Sequence, residues 1–261
     1  MPLFTDQTDH LVELPGPPQR IVSLVPSQTE LLYDLGLGDR IAGITKFCVH
    51  PRLAIQGKTI VGGTKTVKMD VIHQLRPDCI IANKEENVRE QVEALRQHYP
   101  VWTSHINHLD DACSMIAAIG GLTGAASAAR QLIDAIRFGF DRLQPAHPPR
   151  RTAYLIWQKP FMTIGGDTFI NDMLQRCGLV NVFAGRTRYP EISVEDMLAA
   201  PCELLLLSSE PFPFKDRHVQ EWEQRLPGVK VLLADGEMFS WYGSRLLLAP
   251  EYFGALLKNV R

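Results

Sequence analysis

RIVSLVPSQTELLYDLGLGDRIAGIT, residues 20–45, carries the clearest strand-and-helix pattern in the chain. The apolar run that begins at Ile21 predicts a short buried strand. Ser27, with Glu30 three residues later, has the spacing of a capping box and predicts the start of the helix TELLYDLG. Gly36 suits the left-handed conformation that ends a helix. The segment therefore predicts one βα unit with an acidic helix start.

A related pattern returns in the second half of the chain. Ser193 and Asp196 repeat the capping box in ISVEDMLAA, with Glu195 also in the first turn. The segments DVIHQLRPDCIIAN, from Asp70, and VEDMLAAPCELLLLSS, from Val194, share an acidic start, a short helix, a proline and an apolar strand. This similarity indicates two related lobes, which usually enclose a cleft. Chance similarity is the alternative, because the same physical constraints shape every βα unit.

Strands and helices alternate along most of the chain. The amphipathic segment 86–98 is typical of the helices predicted between the strands. Such βα alternation favours a largely parallel sheet. The predicted fold class is α/β, with two Rossmann-like βα lobes. The predicted strands after the first are 41–45, 59–63, 79–82, 101–103, 152–157, 203–208 and 229–234.

One long helix is predicted to join the two lobes. Residues 123–143 keep helical spacing for about twenty residues, or roughly 30 Å, before the prolines of QPAHPPR end the pattern. That length suffices to cross from one lobe to the other. The predicted organisation is an N-terminal extension at 1–19, a lobe at 20–122, a linking helix at 123–145 and a second lobe at 146–261.

Composition and charge restrict the class of protein. The formal net charge of −2 provides no basic field for phosphates, which argues against nucleic acid as a partner. No apolar run approaches the ~20 residues that span a bilayer. The first residues do not form a secretory signal, which would have a basic region followed by an apolar one. The chain is therefore expected either to be cytoplasmic or to begin after a removed signal. We expect a monomer.

The cysteines do not have the pattern of a disulfide framework. They are odd in number and widely spaced. Cys79 and Cys202 lie in apolar strand patterns and are expected to be buried thiols. The five cysteines are Cys48, Cys79, Cys113, Cys177 and Cys202.

Residues 20–258 resemble the two-lobed substrate-binding proteins of ABC importers for iron-siderophores, haem and cobalamin. The resemblance is strongest in RIVSLVPSQTELLYDLGL, RPDCIIAN, and the run from GGDTFINDMLQRCGLVNVF to RYPEISVEDMLA. It implies two lobes joined by one rigid helix, small closure motions, a periplasmic location and a ligand between the lobes. Within that class the chain is most similar to the cobalamin-binding proteins.

The resemblance also implies a partner. In this class an acidic residue on each lobe docks onto arginines of the permease subunits, and the matching positions are Glu30 and Glu195. An exposed acid on each lobe suits electrostatic steering. The alternative is that both residues only stabilise helix N-termini, an effect of about 0.5–1 kcal/mol each.

Family ligands lie against aromatic side chains that follow the strands, where open α/β sheets bind ligands. Packing beneath loops is the alternative role for each aromatic. In SWYGSR, however, two adjacent aromatics cannot both face inward from one extended segment. The candidate ligand contacts are Phe47, Trp157, Phe161, Tyr189, Trp241, Tyr242 and Arg245.

Two segments make the expected site more basic than in cobalamin binders. TKFCVHP and GGTKTVK replace aromatic-rich segments and place lysines, a cysteine and a histidine there. A more anionic ligand, such as a ferric chelate or haem with its propionates, would suit the lysines better than cobalamin. Solvated loop lysines are the alternative. These residues are Lys46, Cys48, His50, Lys65 and Lys68.

Cys48 and His50 are expected at a strand end with their side chains on one side, where both could touch a metal or haem iron. Only two ligands are visible, whereas a structural zinc site takes four. His105 and His108, or alternatively Glu85 and Glu86, could supply the others.

Enzyme motifs are absent from the sequence: it has no GxSxG elbow, Walker loop or HExxH pattern. The chain is therefore predicted to be a binding protein rather than an enzyme, with no tightly bound cofactor. Its expected ligand is cobalamin, haem or a ferric siderophore, held for an ABC importer. The alternatives are a cytoplasmic metal- or cofactor-binding protein of the same fold and an enzyme that uses Cys48 and His50.

Overall fold

The computed structural model describes residues 2–260. These residues form two compact units. Unit 1 comprises the residues up to Ile106, Asp110–Ala135 and Tyr242–Arg245, and unit 2 comprises Asn107–Leu109, Ile136–Trp241 and the residues from Leu246 onward. Among the described residues, no helix has both the length and the apolar character needed to cross a membrane.

A five-stranded, fully parallel sheet forms the centre of unit 1. Its strand order is β5-β4-β3-β6-β7, and a separate antiparallel hairpin pairs β1 with β2. The chain order of the strands is β1 (Leu3–Thr5), β2 (Leu11–Glu13), β3 (Ile21–Ser23), β4 (Ile41–Ile44), β5 (Thr59–Ile60), β6 (Cys79–Asn83) and β7 (Val101–Ser104). The predicted parallel sheet is confirmed, while the hairpin within the predicted N-terminal extension was not foreseen.

Helices connect these strands. The central strand β3 is wholly buried because helices and strands enclose its apolar side chains, which pack with residues such as Ile72 and Leu95. A short 3₁₀ helix at Gly38–Arg40 precedes β4. The α-helices are α1 (Pro26–Asp34), α2 (Met69–Leu75), α3 (Arg89–Arg96), α4 (Leu109–Thr123) and α5 (Ala126–Asp141).

The start of α1 differs from the prediction, whereas its end agrees. Val25 is the N-cap, and no side chain caps the helix, so the predicted capping box of Ser27 and Glu30 is wrong. Pro26 explains the difference, because its fixed φ and missing N–H favour the first helical position. Gly36 has φ +76°, the left-handed conformation predicted for the residue that follows the helix.

Unit 2 contains a second parallel sheet, with strand order β11-β8-β13-β14. A small antiparallel sheet of order β12-β10-β9 accompanies it. The chain order is β8 (Arg150–Leu155), β9 (Trp157–Gln158), β10 (Phe161–Met162), β11 (Leu179–Asn181), β12 (Glu191–Ile192), β13 (Leu204–Ser208) and β14 (Lys230–Ala234). The two parallel sheets confirm the predicted α/β fold class.

The helices of unit 2 include the one predicted from the second capping box. The Ser193 hydroxyl accepts a hydrogen bond from the Asp196 backbone N–H, and the Asp196 carboxylate accepts one from the Ser193 N–H, which confirms the box. The helices are α6 (Phe169–Arg176), α7 (Val194–Ala199), α8 (Asp216–Arg225), α9 (Gly236–Ser240) and α10 (Ala249–Val260). A 3₁₀ helix covers Ser244–Leu247.

The segment predicted as the linking helix contains the end of one helix and all of another. Thr123 is the last residue of α4, and Gly124, at φ +77°, separates it from α5, which has 16 residues. The helix is therefore shorter than the expected twenty residues. The proposed lobe boundaries remain predictions.

Each unit has its own apolar core. Trp102 is fully buried in unit 1, and Trp222 is buried in unit 2 among the residues that cover β13. All five cysteines are free thiols. Cys79 is buried as expected, whereas Cys202 is only half-buried.

Candidate functional site

The carboxyl ends of the five parallel strands of unit 1 lie at one edge of their sheet. Three loops leave this edge after β4, β5 and β6: residues 45–50, 61–68 and 84–88. We call these three loops the unit-1 face. β4 and β5 lie on one side of β3, whereas β6 and β7 lie on its other side. The loops that leave β3 and β6 therefore run in opposite directions along the sheet. Open α/β sheets bind ligands at such a point.

Hydrogen bonds of Asn87 connect the loops of the unit-1 face. Its buried side-chain amide donates hydrogen bonds to the backbone carbonyls of Leu24 (3.2 Å) and Thr64 (3.1 Å). Its side-chain oxygen accepts one from the Asn83 backbone N–H (2.8 Å). One residue therefore connects the ends of β3 and β6 with the loop after β5.

Lys46 and Phe47 pack against the loop that follows β5. The Lys46 backbone N–H donates to the Gly62 carbonyl (2.9 Å), and the Lys46 ammonium lies 5.0 Å from the centre of the Phe47 ring. A Cβ on Gly63 would lie 3.1 Å from the Phe47 ring, so glycine permits this close packing. Phe47 is still 50% exposed and can offer apolar contact area to a ligand.

Lys65 is exposed at the tip of the loop after β5 and is held towards the loop after β6. Its ammonium donates to the Glu85 carbonyl (2.5 Å). Burial raises the pKa of Glu86, although the neighbouring Lys65 acts in the opposite direction. Lys84, also exposed, has its ammonium 3.4 Å from His105 Nε2. The unit-1 face is therefore rich in ammonium groups.

The structure changes the interpretation of Cys48 and His50. The two residues do not continue β4, because the chain turns at this point and the Cys48 N–H donates to the Thr45 carbonyl. Cys48 is buried, with its sulfur 3.1 Å from the Thr29 hydroxyl and 3.3 Å from that of Thr45, whereas His50 is half-buried. The expectation that both residues lie at a strand end is therefore wrong, while their joint contact with a metal or haem iron stays a prediction.

Burial raises the pKa of the Cys48 thiol, and the hydrogen bonds with Thr29 and Thr45 only partly offset this effect. A reactive cysteine needs the opposite shift, since the thiolate is the nucleophile. No group of three or more histidine, cysteine, aspartate or glutamate side chains suitable for a metal ion occurs within residues 2–260.

We expect the folded protein to protect Cys48 from alkylation at pH 8, because its thiol is both buried and protonated. The measurement is iodoacetamide labelling followed by peptide mass spectrometry, with the urea-unfolded protein as the reference for full reactivity. Half-buried Cys202 is the internal comparison. Cys48 labelling as fast as in the unfolded chain would contradict the structure.

Arg245, a predicted ligand contact, forms an ion pair with Glu30. Its guanidinium donates two hydrogen bonds to the Glu30 carboxylate, at 3.0 and 2.5 Å, within unit 1. The two side chains are only 9% and 14% exposed. The expectation that Glu30 is an exposed acid is therefore wrong, because the carboxylate is engaged by an arginine of the same chain.

Gly243 packs against α1, the helix that carries Glu30. A Cβ on Gly243 would lie 2.6 Å from the Ser27 carbonyl oxygen, so only glycine fits against α1. Tyr242 and Trp241 are both buried, contrary to the sequence argument that both could not face inward. That argument assumed an extended segment, but α9 ends at Ser240 and a 3₁₀ helix begins at Ser244.

In unit 2, Trp241 is fixed by polar contacts. Its indole N–H donates to Glu210 Oε1 (3.0 Å), and the Ser240 hydroxyl donates to the same oxygen (2.6 Å). The sequence alone gave no signal for Glu210, because it lies 31 residues from Trp241. Glu210 thus orients an aromatic predicted to contact the ligand.

The other aromatic candidates of unit 2 differ in exposure. Trp157, 37% exposed, packs edge-on against Phe212 with ring centres 5.8 Å apart. Half-buried Phe161 packs against Trp222 at 5.1 Å, which fits the alternative of packing beneath a loop. Tyr189 is half-buried, with the Arg188 guanidinium 6.0 Å from its ring centre. Trp157 is therefore the best placed of the three for a ligand.

Glu195, the second predicted docking acid, is fully exposed in the first turn of α7. Hydrogen bonds from its own backbone N–H and from Ser193 hold the pKa of Glu195 below its ordinary value. Glu195 is therefore a charged, accessible group at neutral pH, unlike Glu30.

Comparison with known proteins identifies the relatives of the chain. The family described as periplasmic binding protein matches residues 21–230. The vitamin B12-binding protein of Vibrio cholerae is 28% identical over 233 residues, which cover 85% of this chain and 82% of that protein.

Two solved structures share the fold. The crystal structure of the periplasmic vitamin B12 binding protein of Vibrio cholerae superposes with a TM-score of 0.78 at 26% identity, over 94% of this chain and 99% of the other. The periplasmic haem-binding protein of the same organism gives a TM-score of 0.76 at 18% identity, over 92% and 98%. The second likeness shows the fold alone.

Proposed function

Because the chain belongs to the periplasmic binding protein family, we propose that it is the substrate-binding protein of an ABC importer for a corrinoid, haem or ferric chelate. The observation that carries this proposal is the 28% identity with a vitamin B12-binding protein across 85% of the chain. The relatives' function as binding proteins also favours a role without catalysis.

The geometry of each unit supports ligand binding. The unit-1 face combines the exposed ring of Phe47 with the ammonium groups of Lys46 and Lys65. In unit 2, exposed Trp157 follows β8, and Trp241 is oriented by Glu210. Aromatic area with a few fixed polar groups is typical of small-molecule sites.

The proposed partner is the permease of the importer, with Glu195 as the docking residue of unit 2. Its exposure and its charge at neutral pH suit an arginine-bearing partner. Glu30 could dock only after its ion pair with Arg245 opens. An enzyme based on Cys48 is not favoured, because its thiol has a raised pKa and is buried.

The proposal is tested by tryptophan-fluorescence titration with cyanocobalamin, haem and a ferric siderophore. Trp157 is exposed and Trp241 lies among the candidate ligand contacts, whereas Trp102 and Trp222 are deeply buried. Saturable 1:1 quenching by at least one ligand, reduced in the Trp157→Phe variant and retained in Trp222→Phe, supports the proposal. An absence of saturable binding to all three would contradict it.

A further inference from the structure

The segment 41–69 has an unusual charge distribution. It contains five lysines and arginines and no aspartate or glutamate, in a chain whose net charge is −2. The cationic residues are Lys46, Arg52, Lys58, Lys65 and Lys68. The segment covers β4, β5 and the first two loops of the unit-1 face, and three of the five cations, Lys46, Lys65 and Lys68, lie in those two loops.

The lysines of this segment have different roles. Lys58 stabilises the fold, since its ammonium donates to the carbonyls of Gly38 (2.8 Å) and Ile41 (2.8 Å). Lys46 and Lys65 instead lie in the loops after β4 and β5, and both are exposed. Because β4 and β5 are parallel neighbours, these two loops leave the sheet at the same edge.

Both loops are held in place before any ligand arrives. Gln91 accepts a hydrogen bond from the Val67 backbone N–H (2.8 Å) and donates one to the Lys65 carbonyl (3.1 Å). The Lys65 ammonium uses one donor on Glu85, which leaves two of its three donors for a ligand. Such ordering lowers the entropic cost of binding.

The lysines of the unit-1 face outnumber its acids. Its three loops carry four lysines, Lys46, Lys65, Lys68 and Lys84, against two glutamates, Glu85 and Glu86. Lys84 is exposed on the loop after β6, and burial raises the pKa of Glu86 on the same loop. An anionic group that approaches the unit-1 face therefore meets an excess of positive charge.

We infer that the unit-1 face recognises carboxylates on the rim of the ligand, and that Lys46 and Lys65 determine this specificity. The apolar body of the ligand lies against Phe47, and its carboxylates accept charge-assisted hydrogen bonds from the two ammonium groups. This inference rests on the proposed function and specifies its ligand class: an amphipathic, carboxylate-bearing molecule rather than one whose rim carries only neutral amides.

The test uses two matched pairs of probes. Haem is compared with its dimethyl ester, and cobyrinic acid is compared with cobinamide. The two members of each pair share a ring system, but only the first carries free carboxylates on its rim. We expect the wild type to bind each acid about tenfold more tightly than its neutral partner, which corresponds to about 1.4 kcal/mol. Added salt should reduce this preference.

Variants connect the preference to the named residues. The Lys46→Ala and Lys65→Ala double variant should lose most of the acid preference while it keeps its affinity for the neutral probes. Lys258→Ala, an exposed substitution on α10 of unit 2, is the matched control and should change neither affinity. Circular dichroism of each variant verifies that it is folded.

The possible outcomes separate this inference from the proposed function. Equal affinity for acid and neutral probes overturns the carboxylate specificity but leaves the binding function intact. An equal loss for both probe classes in the double variant overturns the role of Lys46 and Lys65. If neither pair binds the wild type at all, the carboxylate inference fails for both ring systems, and the proposed function loses its corrinoid and haem ligands.

Discussion

Replacing Arg245 with alanine is expected to destabilise unit 1 by about 3–5 kcal/mol, because the substitution leaves a largely buried carboxylate on Glu30 without its cation. The bidentate pair joins residues that are 215 positions apart in the sequence. Urea unfolding followed by circular dichroism measures the change in the free energy of unfolding. The same loss should expose residues 242–248 to hydrogen exchange.

A double-mutant cycle provides the control for this prediction. The cycle compares the single variants Glu30→Leu and Arg245→Met with their double variant, which should be markedly more stable than Arg245→Met, because no charge then remains buried. Burial already raises the pKa of Glu30, so the penalty of Arg245→Ala should shrink as the pH falls and the carboxyl group is protonated. Additive effects of the two single substitutions would show that the pair is not coupled.

Because of this ion pair, the two predicted docking acids differ in their accessibility to a partner. Glu195 is exposed and ionised, whereas Glu30 is held by Arg245. If both acids serve a permease, the arginine of the partner must compete with Arg245 for Glu30.

The second large effect is expected for Asn87→Ala. The substitution leaves two carbonyls, those of Leu24 and Thr64, and the Asn83 N–H without their side-chain partner. Since each orphaned buried group costs about 1–3 kcal/mol, we expect a loss of about 3 kcal/mol or more in the free energy of unfolding. Chemical denaturation measures it, and ligand affinity should fall in parallel because the unit-1 face loosens.

Asn87→Asp is the matched comparison, because an aspartate can still accept from Asn83 but cannot donate to the two carbonyls. We expect this variant also to be destabilised and to recover part of its stability at low pH, where the protonated carboxyl group can donate one hydrogen bond. Wild-type stability in both variants would show that Asn87 does not organise these loops.

The sequence predicted those parts of the fold that depend on local patterns. The apolar runs at β3, β6 and β13, the glycine stop at Gly36 and the Ser193 capping box all follow from neighbouring residues. Their physical causes lie within one turn of helix or one strand, so the pattern alone identifies them.

The misassigned features depend on contacts between distant segments or on competition between local signals. Glu30 resembled an exposed helix acid because nothing near it in the sequence indicates Arg245. The predicted capping box of Ser27 and Glu30 is wrong because Pro26 occupies the first helical position, so the helix begins before Ser27. Trp241 and Tyr242 are both buried in a short connection between α9 and a 3₁₀ helix, and the alternation rule for a strand does not describe such a connection.

The predicted ligand contacts are still predictions, but the structure ranks them. Phe47, Lys65 and Trp157 are exposed at strand ends, whereas Arg245 and Cys48 are buried and engaged by their own chain. The sequence indicated these loops through their lysines and aromatics. It could not indicate Asn87, whose role depends on three loops meeting in space.

Hydrogen–deuterium exchange with and without saturating ligand tests most directly whether the carboxyl ends of the strands bind the ligand. We expect protection in residues 45–50, 61–68 and 84–88 of unit 1 and around Trp157 in unit 2. Unit 1 also has a separate cavity of about 430 Å³, lined by residues 10–13 and by residues that include Arg96 and Tyr99. Protection confined to that cavity, or absent from both the unit-1 face and the residues around Trp157, would show that the ligand does not bind at the carboxyl ends of the strands.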